Sequence, residues 1–364
     1  MTHAAIRPLA LMALLIATAP PRPAFAEPQR EAAADGVEFS ETLTLPEFHA
    51  VPWIRERVKP GGVKPETWSI DGELWKSVVA TQAGAKQEPV DFHLWLPPEV
   101  ETVRGIVAIT GHGSGQGLYK HRELRKIARE LRLALFMFNG NPMQRGFYPT
   151  SLLYDRLKAF GAKSGHPELE HAPLFLYGHS NGTGFSAIFT AMESSRVWGW
   201  ISMRPGTTQQ VFQPGAAEVP GLVMFGEDDP FFAKPSQREN MAVVERMRKE
   251  HNARWHYALE PGTGHGPGEK SWTLVFSFLR HSFAARVPTD ADPRKGPIKL
   301  RPLAVESGYL GENWDVAKGG YQTLAIAPYA KAAGEPATAS WLLNAAYAAD
   351  WQEFQREGSV SDAR

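Results

Sequence analysis

Short apolar runs alternate with amphipathic stretches through the middle of the chain. Gly105–Thr110 (GIVAIT) is continuously apolar, the pattern of a strand buried on both faces. Leu124, Ile127, Ala128 and Leu131 then recur at helical spacing within 121–131. The rhythm repeats: strands are predicted at 133–138 (LALFMF), 173–177 (PLFLY), 197–203, 220–225 (PGLVMF) and 254–259. Helices are predicted at 152–160, 182–192, 237–249 and 271–283. Strands alternating with helices predict an α/β, doubly wound and mostly parallel sheet. Ahead of it, 68–81 and 90–96 read as two strands separated by turn-prone residues 83–89. In the second, Val90, Phe92, Leu94 and Leu96 alternate with Asp91, His93 and Trp95. Joined as a hairpin, they would form antiparallel N-terminal edge strands.

The flanks differ in character. Residues 1–26 carry one early cation, Arg7, then an apolar run at Leu9–Ala19, then a Pro-rich stretch ending Ala24-Phe25-Ala26. That order predicts a signal peptide cleaved after Ala26. The apolar run is shorter than the roughly 20 residues needed to span a bilayer, and Pro20, Pro21 and Pro23 stop it. An exported chain is therefore expected, periplasmic or extracellular, with no stable membrane insertion after cleavage. Residues 27–67 are rich in Pro, Gly and charge and read as an extended lead-in. The Pro-rich, polar stretch 287–302 closes a domain over 68–286. The remainder, to 364, holds Tyr309, Trp314, Tyr321, Trp341 and Trp351, too apolar for a linker. It predicts a small C-terminal extension packed on the core, with helical character over 340–354.

Composition narrows the classes. In 364 residues, 43% hydrophobic content allows a large core, and the formal net charge is zero. A balanced chain has no global attraction for nucleic acid or anionic lipid. The absence of Cys excludes disulfides, a thiol nucleophile and thiolate metal sites. Metal spacing among His, Asp and Glu is not found, so no metal or other cofactor is expected. The run GHGSGQG fails as a dinucleotide loop because residue 116 is Gln. Six Lys/Arg within 120–132 fit the solvated face of an amphipathic helix.

Chemistry concentrates at Gly178-His179-Ser180-Asn181-Gly182, a G-x-S-x-G motif between a buried strand and a helix. Such a tight turn needs small flanking residues and holds the serine hydroxyl at its apex. A serine hydroxyl is a poor nucleophile until a base accepts its proton. His265, in the Gly-rich loop 261–267 after the sixth strand of the alternating series, is the candidate base. A carboxylate must orient that imidazole, and the loop after the fifth of those strands (Gly226-Glu-Asp-Asp-Pro230) supplies Asp229, with Asp228 as its rival. All three loops leave the C-terminal ends of strands, where open α/β sheets place their sites. The oxyanion of acyl transfer needs preorganised N–H donors, and Asn181 N–H is one candidate.

Together GHSNG, GEDDP, GTGHG and the early loop GHGSG resemble the serine α/β-hydrolases over roughly 68–284, in the style of secreted feruloyl esterases and polyhydroxyalkanoate depolymerases. The resemblance favours Asp229 as the acid, by its place just before Pro230. It also implies Ser114 N–H as the second oxyanion donor. His112 and His179 read as hydrogen-bonded supports of their loops. Residues 206–219, between the fourth and fifth strands, are too few and too polar for a helical lid. An open cleft suits a bulky or polymer-linked ester. Tyr148, Arg204 and Trp272 are candidate substrate contacts, with Phe147, Phe212, Phe231 and Phe232 as further aromatic linings. The expected activity is ester hydrolysis through an acyl-enzyme. A serine peptidase or amidase of the same fold, and a non-catalytic binding protein on that scaffold, are the alternatives. Oligomeric state is not legible.

Overall fold

A computed structural model of the chain describes residues 35–43, 64, 68–83, 89–139, 150–206, 211–231, 235–315, 317–332 and 335–361. The expected signal peptide lies outside these residues, as do Phe147, Tyr148 and Phe232. The described residues belong to one unit, Asp35–Arg364.

Eight strands form the main sheet: β1 (Val37–Leu43), β2 (Val90–Leu96), β3 (Gly105–Thr110), β4 (Leu133–Asn139), β5 (Leu174–His179), β6 (Val197–Met203), β7 (Gly221–Gly226) and β8 (Trp255–Glu260). Their order is β1-β2-β4-β3-β5-β6-β7-β8. The strands from β3 to β8 pair in parallel, and β2 pairs antiparallel with both β1 and β4. Every residue of β3, β5, β6, β7 and β8 is buried, which is why their sequences are mostly apolar, with buried polar exceptions such as His179, Ser202, His256 and Glu260.

The main helices are α1 (Gly72–Ala83), α2 (Gly115–Tyr119), α3 (Arg122–Leu131), α4 (Thr150–Ser164), α5 (Thr183–Met192), α6 (Pro235–His251), α7 (Ser271–Arg286) and α8 (Ala345–Glu357). Helices on both sheet faces make two cores. Phe136, Phe138, Leu176 and Phe185 pack on one face. Val107, Leu135, Tyr177, Trp272 and Phe278 pack on the other.

The N-terminal edge differs from expectation. Residues 68–81 do not form a strand: Asp71 accepts the Leu74 N–H at 2.7 Å, caps the first turn, and opens helix α1. The strand beside β2 is β1, from the stretch read as a lead-in. Its inward positions include Glu41, which breaks the apolar alternation. Arg156 and Lys163 satisfy that carboxylate at 3.1 and 2.9 Å.

Residues beyond 287 contribute to the second core. Trp341 and Trp351 are buried in it, and Trp351 Nε1 donates to the carbonyl of Tyr257 on β8 at 2.9 Å. Three short strands, β9 (Tyr309–Gly311), β10 (Ile326–Pro328) and β11 (Ser340–Leu342), form a second sheet in the order β10-β9-β11. Helix α8 begins only at Ala345, where Asn344 caps it through the Tyr347 N–H. Among the described residues no helix is long and apolar enough to cross a membrane. Nor do those residues group three or more His, Asp or Glu around a common metal position.

Candidate active site

Strand β5 runs into Ser180, which adopts φ 55°, a conformation uncommon for a residue with a side chain. Such strain persists only where the surroundings over-determine it. Thr183 Oγ1 and Gly206 N–H both donate to the Ser180 carbonyl, at 2.7 and 3.3 Å. A Cβ on Gly178 would lie 2.1 Å from the Gly182 carbonyl oxygen, so only glycine lets the chain turn back so closely. At Gly182 the obstacle is not the neighbouring backbone but Thr110 Oγ1 on β3, 2.7 Å from a hypothetical Cβ.

Loops after β7 and β8 meet the serine. His265 Nε2 lies 3.0 Å from Ser180 Oγ, and its Nδ1 lies 2.9 Å from Asp229 Oδ2. Asp229 is 5% exposed, whereas Asp228 points to solvent. Geometry therefore pairs the imidazole with Asp229. The other carboxylate oxygen accepts the Phe231 N–H at 2.9 Å. The two loops are stitched together by Asp228 N–H donating to the Thr263 carbonyl at 2.9 Å. Phe231 stands edge-on to the His265 ring at 4.9 Å and is 40% exposed. It is the one predicted aromatic lining that the described residues place beside His265.

The early loop behaves differently from the resemblance. Ser114 N–H donates to His179 Nδ1 at 2.9 Å, and Ser114 Oγ pairs with Tyr177 Oη at 2.7 Å. The amide assigned to an oxyanion is thus engaged by the residue preceding Ser180. Asn181 N–H sits in the first turn after the elbow, where a helix leaves its amides without intrahelical acceptors.

Two predicted substrate contacts are structural instead. Arg204 follows β6 at φ 48° and is fully buried. Its guanidinium pairs with the Glu260 carboxylate, and it donates to Thr263 Oγ1 at 3.1 Å and to the Gly264 carbonyl at 3.2 Å. Burial pulls its pKa down while Glu260 pushes it back up. These guanidinium contacts are with the histidine loop and the strand that leads to it, so the side chain serves the loop rather than a substrate. Trp272 is a buried residue of the second core, packed 6.1 Å from both Tyr177 and His121. Phe212 is a core residue beside Trp200 and Trp255.

The histidine before Ser180 makes contacts that the sequence does not show. His179 is 4% exposed, and its Nε2 lies 2.9 Å from the His265 carbonyl oxygen. Burial, then the neighbouring His265, pushes its pKa down to about 4. The only signal in the sequence is its place between Gly178 and Ser180.

No family model matches the chain, and no curated protein does. Among solved structures it is similar to an S-formylglutathione hydrolase from Agrobacterium tumefaciens, at 13% identity and TM-score 0.40, over 68% of this chain and 93% of that one. It is also similar to LpqC, a poly(3-hydroxybutyrate) depolymerase from Bordetella parapertussis, at 15% identity and TM-score 0.38, over 57% and 90%. A thermostable esterase matches at 11% identity and TM-score 0.35, over 51% of this chain and 53% of that one. This chain therefore spans about half the length of that esterase. The fold is that of the α/β-hydrolases. That conclusion rests on the sheet order, the antiparallel second strand and the strained serine between β5 and α5.

Proposed function

We propose that this protein is a serine esterase. The observation that carries the reading is the continuous contact from Ser180 Oγ through His265 to Asp229, at 3.0 and 2.9 Å. With Asp229 accepting from Nδ1–H, the imidazole presents an unprotonated Nε2 to the serine hydroxyl. Ser180 Oγ attacks the ester carbonyl carbon as its proton moves to Nε2. The tetrahedral oxyanion is held by Asn181 N–H. Collapse breaks the bond to the alcohol oxygen, which takes the proton from His265 and leaves. Water then attacks the acyl-Ser180 carbonyl, giving its proton to His265. Breakdown of this second intermediate returns the proton to Ser180 and releases the acid.

The substrate is a bulky or polymer-linked ester. Support comes from the stretch between β6 and β7, where the described residues hold only the short turn Pro214–Ala216 and no helical cap. The basic start, the short apolar run and the Ala-Phe-Ala end of residues 1–26 support export.

The test is release of p-nitrophenol from acetate, butyrate and octanoate esters by the purified protein, beside Ser180→Ala. Turnover abolished by the substitution supports the reading, and turnover that survives it assigns the wrong nucleophile. Matched p-nitroanilides distinguish amide cleavage: faster release from these than from the esters would replace the esterase by an amidase. A folded protein that turns over neither and resists fluorophosphonate labelling would be a binding protein on this scaffold.

A further inference from the structure

We propose that His179 is a positioning residue that couples the Gly-rich loop after β3 to the backbone of the general base, His265. The inference rests on the reading of Ser180 and His265 as nucleophile and base.

Its two ring nitrogens have one-way partners. Ser114 N–H can only donate, so Nδ1 must accept it. The His265 carbonyl can only accept, so Nε2 must carry the hydrogen that it receives. A neutral imidazole in the Nε2–H form satisfies both contacts, and neither the other tautomer nor the cation does. The surroundings hold it there: the ring is buried, and the charged or chargeable groups facing it are His265, Arg204 and His112. The rings of His179 and His265 lie 5.1 Å apart.

The fit is close on the loop side. Gly113 has φ +60°, and a Cβ there would lie 2.2 Å from His179 Nδ1. The loop comes so near because its Ser114 amide reaches the ring. On the other side, Arg204 holds the Gly264 carbonyl and His179 holds the His265 carbonyl, so two buried side chains grip the successive carbonyls of Gly264 and His265. Since His179 is covalently next to Ser180, one imidazole ties three separate pieces of the site together. A shift of His265 on losing this brace would lengthen its contact with Ser180 Oγ, and misplacement of about 1 Å costs on the order of 10²-fold in rate.

Three substitutions separate the two contacts. His179→Leu removes both. His179→Gln keeps an amide donor at the reach of Nε2, and His179→Asn keeps an acceptor near Nδ1. With p-nitrophenyl butyrate, and with folding checked by circular dichroism, His179→Leu is expected to lose about 100-fold in kcat with KM within about twofold. His179→Gln is expected to recover about tenfold of that loss, and His179→Asn less. A folded His179→Leu protein within about threefold of wild-type kcat, a loss confined to KM, or no recovery in His179→Gln would overturn the proposal. Should the variants not fold, the wild type decides. Nitrogen-15 NMR is expected to show His179 protonated at Nε2 and unprotonated at Nδ1 at pH 6. A signal for the Nδ1–H form would overturn the brace as described. Failure of wild-type Ser180 to label with a fluorophosphonate is a different result, because it removes the esterase reading and leaves the tautomer of His179 to be read on its own.

Discussion

Glu260→Gln is the perturbation that most clearly separates a structural Arg204 from a substrate-binding one. The Arg204 side chain is fully buried and that of Glu260 is 1% exposed. Removing one charge of such a pair leaves the other in a medium that solvates it poorly, at a cost of about 3–5 kcal/mol. For a chain of this size each kcal/mol lowers Tm by about 1.3 °C, so a fall of about 4–7 °C is expected. Glu260 also accepts from Ser271 Oγ, and Arg204 still reaches Thr263 and Gly264, so the site is weakened rather than erased. Activity should fall as well, by about tenfold at temperatures where the variant is folded, because Arg204 holds the carbonyl next to His265. Replacing both partners, as Arg204→Met with Glu260→Leu, should recover much of the lost stability without restoring activity. The assay is thermal unfolding followed by circular dichroism, paired with p-nitrophenyl ester turnover at 25 °C. A single variant within about 2 °C of wild type, or a double variant less stable than either single one, would refute the argument from burial.

Other outcomes follow from the same geometry. Asp229→Asn should lower kcat by about 10³–10⁴-fold, since an amide no longer selects the Nδ1–H tautomer, whereas exposed Asp228→Asn should stay within about twofold of wild type. Gly178→Ala should prevent a stable elbow, because its Cβ would lie 2.1 Å from the Gly182 carbonyl; soluble, fully active protein would contradict this. The buried imidazole of His256, paired with Tyr347 Oη at 2.6 Å, is pushed down to about 3 by burial, from 6.5. It stays neutral in the folded chain while the unfolded chain takes up a proton below 6.5. Its contribution is therefore intact above pH 6.5 and is lost at about 1.4 kcal/mol per unit as the pH falls toward 3. Urea midpoints at pH 7 and pH 5 should differ accordingly, and His256→Gln should narrow the difference.

The alternating core from β3 to α7 was readable in outline because strands buried on both faces are mostly apolar, with only isolated polar residues such as Ser202, His256 and Glu260. The element ends moved by only a few residues. The N-terminal edge was not readable. Glu41 sits where an apolar residue would mark β1, and its partners Arg156 and Lys163 are far along the chain. In 68–83 the alternation of Trp68 and Ile70 masked the capping signal of Asp71 before Glu73 and Leu74. The triad candidates stood out because their glycine-flanked loops follow strands. What escaped was the use of individual polar groups. Ser114 N–H meets His179 across 65 residues, and Arg204 meets Glu260 across 56. Contacts of that range leave no spacing to recognise. The three-residue strands β9, β10 and β11 are likewise too short to show a period.

The central claim is that Ser180 is the nucleophile. The most direct measurement is to treat the purified protein with a fluorophosphonate, digest it and locate the adduct by mass spectrometry. The account predicts one modified residue, Ser180, with labelling abolished in Ser180→Ala and strongly slowed in His265→Ala. An adduct on another residue, or a folded wild-type protein that takes no label while hydrolysing esters, would contradict it.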